Sequence, residues 1–302
     1  MGTVIEVQRL HKEYGSLVAV DDVSFQVMAG EIFGLLGPNG AGKTTTVECL
    51  QGLRHADGGQ MRVLGLDPWK ERSSLRRRIG SQLQESALPD RLKVWEALDL
   101  FATTSLSRSA REQLLEQWGL ADKRNTSFSS LSGGQRQRLF VALALVNQPE
   151  VVFLDEVTTG LDPAARRTTW DLIEQIRERG TTVVLVSHFM DEVERLCQRV
   201  AVVNHGRIVA LDTPARLVEQ RAQQRRVLFH WEGEPLSWLE SLPHVRAVQQ
   251  QGNQVEVQGD GAVFQHVAAA LLQRGIEPDD LRVERPTLEE VFLQMVGKSD
   301  EE

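Results

Sequence analysis

Hydrophobic and polar positions in the first 212 residues follow two alternating patterns. Short apolar runs read as strands: the alternating Thr3 to Val7, then Glu31-Ile32-Phe33-Gly34-Leu35-Leu36, Val151-Val152-Phe153-Leu154 and Thr182-Val183-Val184-Leu185-Val186. Unbroken apolar runs of this length suit strands covered on both faces, as in a mostly parallel sheet with helices between the strands. More than a hundred residues separate the second run from the third, far more than one crossover helix needs. That gap holds polar helix candidates at Val94 to Ala102 and Ala110 to Trp118, so a helical insertion (about 85–147) beside the sheet is predicted. A further helix after residue 132 carries Leu139, Leu143 and Val146 at spacings of four and three, which is one buried face.

Near residue 213 the texture changes. Thr213-Pro214-Ala215 reads as a helix start with proline at the first position, and the polar stretch Glu219 to Arg226 reads as a linker. Beyond it the pattern predicts strand Val227–Trp231, helix Pro235–Ser241, strand Val245–Gln249, strand Val255–Gln258, helix Val263–Gln273 and strand Leu281–Glu284. This β-α-β-β-α-β order is that of a small ferredoxin-like α+β unit. The predicted division is therefore 1–213, a helix and linker at 214–226, and an accessory or dimerisation domain at 227–302. No internal repeat is visible, and the last residues, 298–302, are expected to fray.

Composition narrows the class. Apolar residues make up 41% and charged residues 25%, the profile of a soluble globular protein, and the net charge of -8 argues against a dedicated nucleic-acid binder. The N-terminus enters a strand pattern directly, without the charged and apolar regions of a signal peptide. The longest unbroken apolar run, Leu139 to Val146, falls well short of the ~20 residues that cross a bilayer. Any work at a membrane then requires another chain to do the spanning. The two cysteines, Cys49 and Cys197, lie in helical patterns without metal-ligand spacing and read as buried thiols.

Three chemical groups fall at the carboxyl ends of predicted parallel strands, where open α/β sheets bind ligands. Of these three strands the first, Glu31 to Leu36, runs into Gly37-Pro38-Asn39-Gly40-Ala41-Gly42-Lys43-Thr44, followed by Thr45, a P-loop whose backbone N–H groups can wrap phosphate oxygens. Lys43 supplies charge to the terminal phosphates and Thr44 a hydroxyl to Mg²⁺. The second strand ends in Asp155-Glu156, a carboxylate pair that needs a cation or solvent. The third ends in Ser187-His188. A second Gly-rich helix start, Leu131-Ser132-Gly133-Gly134-Gln135, forms another anion-binding element. These residues alone leave open whether the two elements hold one nucleotide or two.

Together the motifs resemble those of the ATP-binding-cassette (ABC) ATPases, over roughly residues 3 to 212. Leu131 to Gln135 is similar to the signature motif of that family, Gly37 to Thr44 to its Walker A loop, and Val151 to Glu156 to its Walker B strand with the following glutamate. Gly160-Leu161-Asp162 resembles the D-loop, and His188 the switch histidine. Gln84 best fits the Q-loop, with Gln82 as the weaker candidate. Tyr14, the only tyrosine, stands where the family sets an aromatic ring against adenine. The resemblance implies an α/β P-loop NTPase core and a homodimer in which the signature loop of each copy closes over ATP held by the other. It implies that Asp155, with Thr44 and Gln84, serves Mg²⁺, and that Glu156 polarises the attacking water. It also implies that His188 touches the γ-phosphate, while Ser132 and Gly134 act from across the interface. A separate transmembrane permease, docked near Gln84 and the helical insertion, is the implied partner, which places the chain at the cytoplasmic face of the membrane.

One position departs from the pattern: Val157 stands where the family usually has proline, which would loosen that turn. The segment Arg285-Pro286-Thr287-Leu288-Glu289-Glu290-Val291-Phe292 and the run Thr158 to Pro163 resemble the drug- and antibiotic-export branch. An exporter ATPase is therefore the expected function. A soluble ABC ATPase of translation or DNA repair is the alternative, although the second cassette, coiled coil or zinc module usual in that class is not visible. A P-loop GTPase or small-molecule kinase gives no reason for Leu131 to Gln135. For the C-terminal unit, dimerisation or stabilisation is preferred over a small-molecule regulatory site.

Overall fold

In a computed structural model of the chain, residues 2–82, 87–102, 107–221, 225–284 and 286–297 are described. Contacts divide the chain into two compact units, Met1–Thr213 and Pro214–Glu302.

The predicted apolar runs form the middle of a six-stranded sheet. Its strands are β3 (Ile32–Leu36), β5 (Ile79–Gln82), β6 (Val151–Asp155), β7 (Thr182–Ser187), β8 (Arg199–Asn204) and β9 (Arg207–Asp212). The order is β5-β6-β7-β3-β8-β9, parallel except for β9, which turns back on β8 as a hairpin. Every residue of β3, β6 and β7 is buried, which is why these strands read as continuous apolar runs.

A second, antiparallel sheet has the order β2-β1-β4, built from β1 (Thr3–Tyr14), β2 (Leu17–Met28) and β4 (Gly58–Val63). The sequence pattern shows only the start of β1. The strand continues to Tyr14 through several register shifts, which interrupt the period-two alternation beyond Val7. One core joins both sheets, with Ile5, Leu10, Phe25 and Val27 packed alongside Phe33, Leu35, Phe153 and Val184.

Helix α1 (Lys43–Leu50) follows β3, and the short α2 (Arg72–Leu75) precedes β5. The insertion contains α3 (Val94–Phe101), α4 (Arg108–Gln117) and α5 (Gly133–Leu145). On and just after α5, Leu139, Leu143 and Val146 are buried as the spacing predicts. Helices α6 (Pro163–Glu178) and α7 (Met190–Leu196) follow β6 and β7. Both cysteines are buried. Cys49 lies in α1, with burial pushing its thiol up to about 11, whereas Cys197 falls just beyond the end of α7.

The second unit opens with α8 (Pro214–Arg221), then β10 (Arg225–His230), β11 (Val245–Gln251), β12 (Gln254–Gly259), α9 (Val263–Gln273), β13 (Asp279–Glu284) and α10 (Leu288–Gly297). Its sheet has the order β11-β12-β10-β13 with antiparallel pairs throughout, the split β-α-β topology of a ferredoxin-like unit. Two local expectations differ. The stretch read as a linker contributes the end of α8 and the start of β10. The helix expected at Pro235–Ser241 is a 3₁₀ turn at Ser237–Ser241, confined between Pro235 and Pro243. Among the described residues, no helix is long and apolar enough to cross a membrane.

Candidate functional site

The site grows from the carboxyl end of β3. Gly37 follows directly, and a Cβ there would lie 2.2 Å from the carbonyl oxygen of Val203 on β8, so only glycine fits. Gly42 caps α1 with φ +98°, and its own Cβ would meet the Ala19 carbonyl oxygen of β2 at 2.2 Å. The loop is thus clamped between two sheets before any ligand arrives. Asn39 and Gly40 remain exposed at its crest, Pro38 and Thr45 are half-buried, and Ala41 is buried.

Lys43 is buried, and its Nζ donates to the carbonyl oxygens of Gly37 at 2.8 Å and Pro38 at 2.9 Å. The ammonium is therefore held inside the loop by acceptors from the loop itself. Burial pulls its pKa below the usual lysine value, while the carboxylates of Glu156 and Asp155 oppose that shift.

Asp155 ends β6 with 2% of its surface exposed. Its Oδ2 accepts from Thr44 Oγ1 at 3.1 Å, whereas Oδ1 is buried without a partner. Burial pushes this carboxyl up to about 6, a shift the Thr44 hydroxyl opposes. An orphaned buried carboxylate oxygen beside a hydroxyl is a hard oxygen donor set that suits Mg²⁺.

Glu156 adopts φ +49°, a left-handed conformation that costs a non-glycine residue about 1–2 kcal/mol. Its N–H still donates to Val186 O at 2.9 Å, so the turn stays tied to β7. The next strand end meets it: His188 Nδ1 lies 3.1 Å from Glu156 Oε1. Val157 is fully buried, so packing holds the turn that proline would otherwise restrain.

The second glycine-rich element is a capped helix start. Ser132 Oγ accepts from Gln135 N at 3.3 Å, and Gln135 Oε1 accepts from Ser132 N at 2.9 Å, a reciprocal capping box at the head of α5. Gly133 borders a cleft of about 410 Å³ with Gln82, Arg136, Gln137, Thr159 and Gly160. Gly134 faces α6, where a Cβ would stand 3.4 Å from Ala165 Cβ. Asp162 caps α6 by accepting from Ala164 N and Ala165 N, both at 3.0 Å.

The structure thus brings Lys43, Thr44, Asp155, Glu156 and His188 together. Among the described residues, no hydrogen bond, ion pair or ring contact links Ser132, Gly133 or Gly134 to the P-loop of the same chain. Gln84 lies outside the described residues. Gln82 is buried, and its Oε1 accepts from Asp155 N at 3.2 Å. Tyr14 is the last residue of β1. It is 40% exposed, with Lys12 Nζ 5.2 Å and Arg54 Cζ 5.5 Å from its ring centroid. Sequence reasoning missed the three-way lock of Thr44, Asp155 and Gln82, because no local pattern records which strand ends become neighbours.

The chain matches the family model described as ABC transporter over residues 20–159. It also matches the model described as ATP-binding protein DrrA1-3-like, C-terminal domain, over residues 217–296. It is 36% identical to the daunorubicin resistance ATP-binding protein DrrA3 of Streptomyces coeruleorubidus, covering 98% of this chain and 96% of that protein. The Nod factor export ATP-binding protein I of Paraburkholderia xenovorans (strain LB400) is 39% identical, covering 97% of each. A solved structure described as the ATP binding subunit of an ABC transporter has a TM-score of 0.66 at 27% identity, covering 72% of this chain and 93% of that one.

Proposed function

Because this chain belongs to the ATP-binding subunits of ABC transporters, we propose that it hydrolyses Mg-ATP between two copies of itself to drive a separate membrane-spanning permease. The cargo we infer is drugs or other small hydrophobic molecules, moved outward from the cytoplasmic face of the membrane. Two nearly full-length relatives, named for daunorubicin resistance and Nod factor export, support the exporter reading over a translation or DNA-repair ATPase.

The observation that carries the reading is the convergence of Lys43, Asp155, Glu156 and His188 at adjacent strand ends. The triphosphate replaces the Gly37 and Pro38 carbonyls as the partner of Lys43, so a buried cation meets anionic oxygens instead of neutral ones. Thr44 and Asp155 would hold Mg²⁺, which would neutralise charge on the phosphates. Glu156 accepts the proton of the attacking water, and His188 Nδ1 orients its carboxylate from 3.1 Å. Tyr14, still substantially exposed, offers a ring face to adenine.

The Ser132 helix start is exposed, and among the described residues the Ser132 hydroxyl and amide bond only to Gln135 of its own helix, which leaves that face open to a second copy. Head-to-tail pairing of two chains lets it complete the phosphate site of the other. The test is purification from detergent-solubilised membranes: a multi-span protein should copurify, and recovery with ribosomes or DNA instead refutes the transport reading. Full-rate hydrolysis by a strict monomer with Ser132 replaced refutes the shared site.

A further inference from the structure

Glu192 stands four residues beyond His188, on α7, and is completely buried. A buried carboxyl costs several kcal/mol unless donors meet it. Its principal donor is Trp170 on α6, whose Nε1 lies 3.0 Å from Glu192 Oε1. Burial pushes this carboxyl up, and two nearby hydroxyls oppose that push. They belong to Ser187, the last residue of β7, and Thr158, two residues past Glu156. The Ser187 oxygen accepts from Phe189 N at 3.0 Å, which ties the end of β7 to the residue before α7. Oε2 and Thr158 Oγ1 are both buried without a hydrogen-bond partner, so the Trp170 indole is the bond that holds the carboxyl.

The residues around the carboxyl come from three places that matter for hydrolysis. Thr158 lies on the turn that carries Glu156, Ser187 immediately precedes His188, and Trp170 belongs to the neighbouring helix. Ser187, Thr158 and Trp170 are all buried, so the joint is sealed from water. On its outer side, Arg166 of α6 stacks over Phe189 at 4.4 Å and approaches Asp191 at 3.3 Å, which ties the same two segments again.

We propose that Glu192 is a positioning residue for ATP hydrolysis: through its bond to Trp170 it fastens α7, the helix that follows His188, to α6 and thereby holds His188 against Glu156. The inference rests on the reading of Glu156 and His188 as the hydrolytic pair. A carboxyl that merely fills the core would affect stability alone. One that sets the 3.1 Å contact affects turnover in protein that is still folded.

The test measures kcat, KM for ATP, the affinity for a fluorescent ATP analogue and the melting temperature. The chains compared are the wild type, Glu192→Ala, Glu192→Gln, Trp170→Phe and Glu156→Gln. Glu192→Ala should lower kcat about 10-fold or more with nucleotide affinity within about 2-fold, because a misplaced catalytic group costs rate rather than binding. Glu192→Gln, whose amide oxygen still accepts from Trp170, should remain within about 3-fold of wild type. If Glu192→Ala does not fold, Trp170→Phe carries the test, with the same direction in kcat. An inactive Glu156→Gln alongside unchanged kcat in folded Glu192→Ala and Trp170→Phe overturns this inference alone. Full turnover by Glu156→Gln overturns the assignment of the hydrolytic pair, and the inference with it.

Discussion

Replacing Asp155 by asparagine should stabilise the metal-free protein while destroying its use of Mg²⁺. Asparagine keeps an acceptor for Thr44 and mimics the protonated carboxyl. In the folded chain, burial raises Asp155 from 3.8 to about 6, and at 2% exposure solvent gives little relief. The native state therefore holds this proton more tightly than the unfolded one. The stability contributed by the group is complete below about pH 4 and is lost as pH rises through about 6. At 1.36 kcal/mol per tenfold, ionisation at pH 7 costs about 3 kcal/mol, which asparagine avoids. For a unit of this size, that corresponds to roughly 6–12 °C in melting temperature. Thermal melts of both chains in a chelator between pH 4.5 and 8 should diverge as pH rises, with Asp155→Asn the more stable. Mg-ATP should then restore the wild type and leave the variant unmoved. Below about pH 6 the apparent Mg²⁺ affinity of the wild type should fall, since the metal competes with a proton for Asp155. Coincident melting curves at pH 7.5 in chelator would refute the argument that an uncompensated charge is buried there.

Two further outcomes follow from the same geometry. Lys43→Ala should weaken ATP binding by about 100-fold, the scale of about 3 kcal/mol for a buried cation on phosphate, and unchanged affinity in calorimetry removes Lys43 from the site. Glu156→Gln should bind ATP without turning it over and accumulate a dimer by size-exclusion chromatography; a monomeric, ATP-loaded variant contradicts the shared site.

Much of the site was legible because its parts are local. A strand followed by Gly37 to Thr44, a helix start at Ser132 with Gln135 three residues on, and proline after Asp162 each specify their own backbone through φ, capping and period. The three buried strands announced themselves by unbroken apolar runs. The antiparallel sheet did not, because register shifts interrupt the alternation of β1. The helix predicted at Pro235–Ser241 was lost for a different reason: the flanking prolines left room only for a 3₁₀ turn at Ser237–Ser241.

What the tertiary structure alone decided is adjacency. Thr44 and Asp155 lie 111 residues apart, and Glu156 and His188 lie 32 apart; each pair meets only because β3, β6 and β7 take neighbouring places in one parallel sheet. An apolar run records that a strand is buried, not which strand it pairs with, since the hydrophobic effect is non-directional. The same holds for Glu192, which reads as an ordinary polar residue on a helix until folding closes α6, β7 and the turn after Glu156 around it. The chain's own pattern specified the chemical groups and their local shapes; packing determined which of them became neighbours.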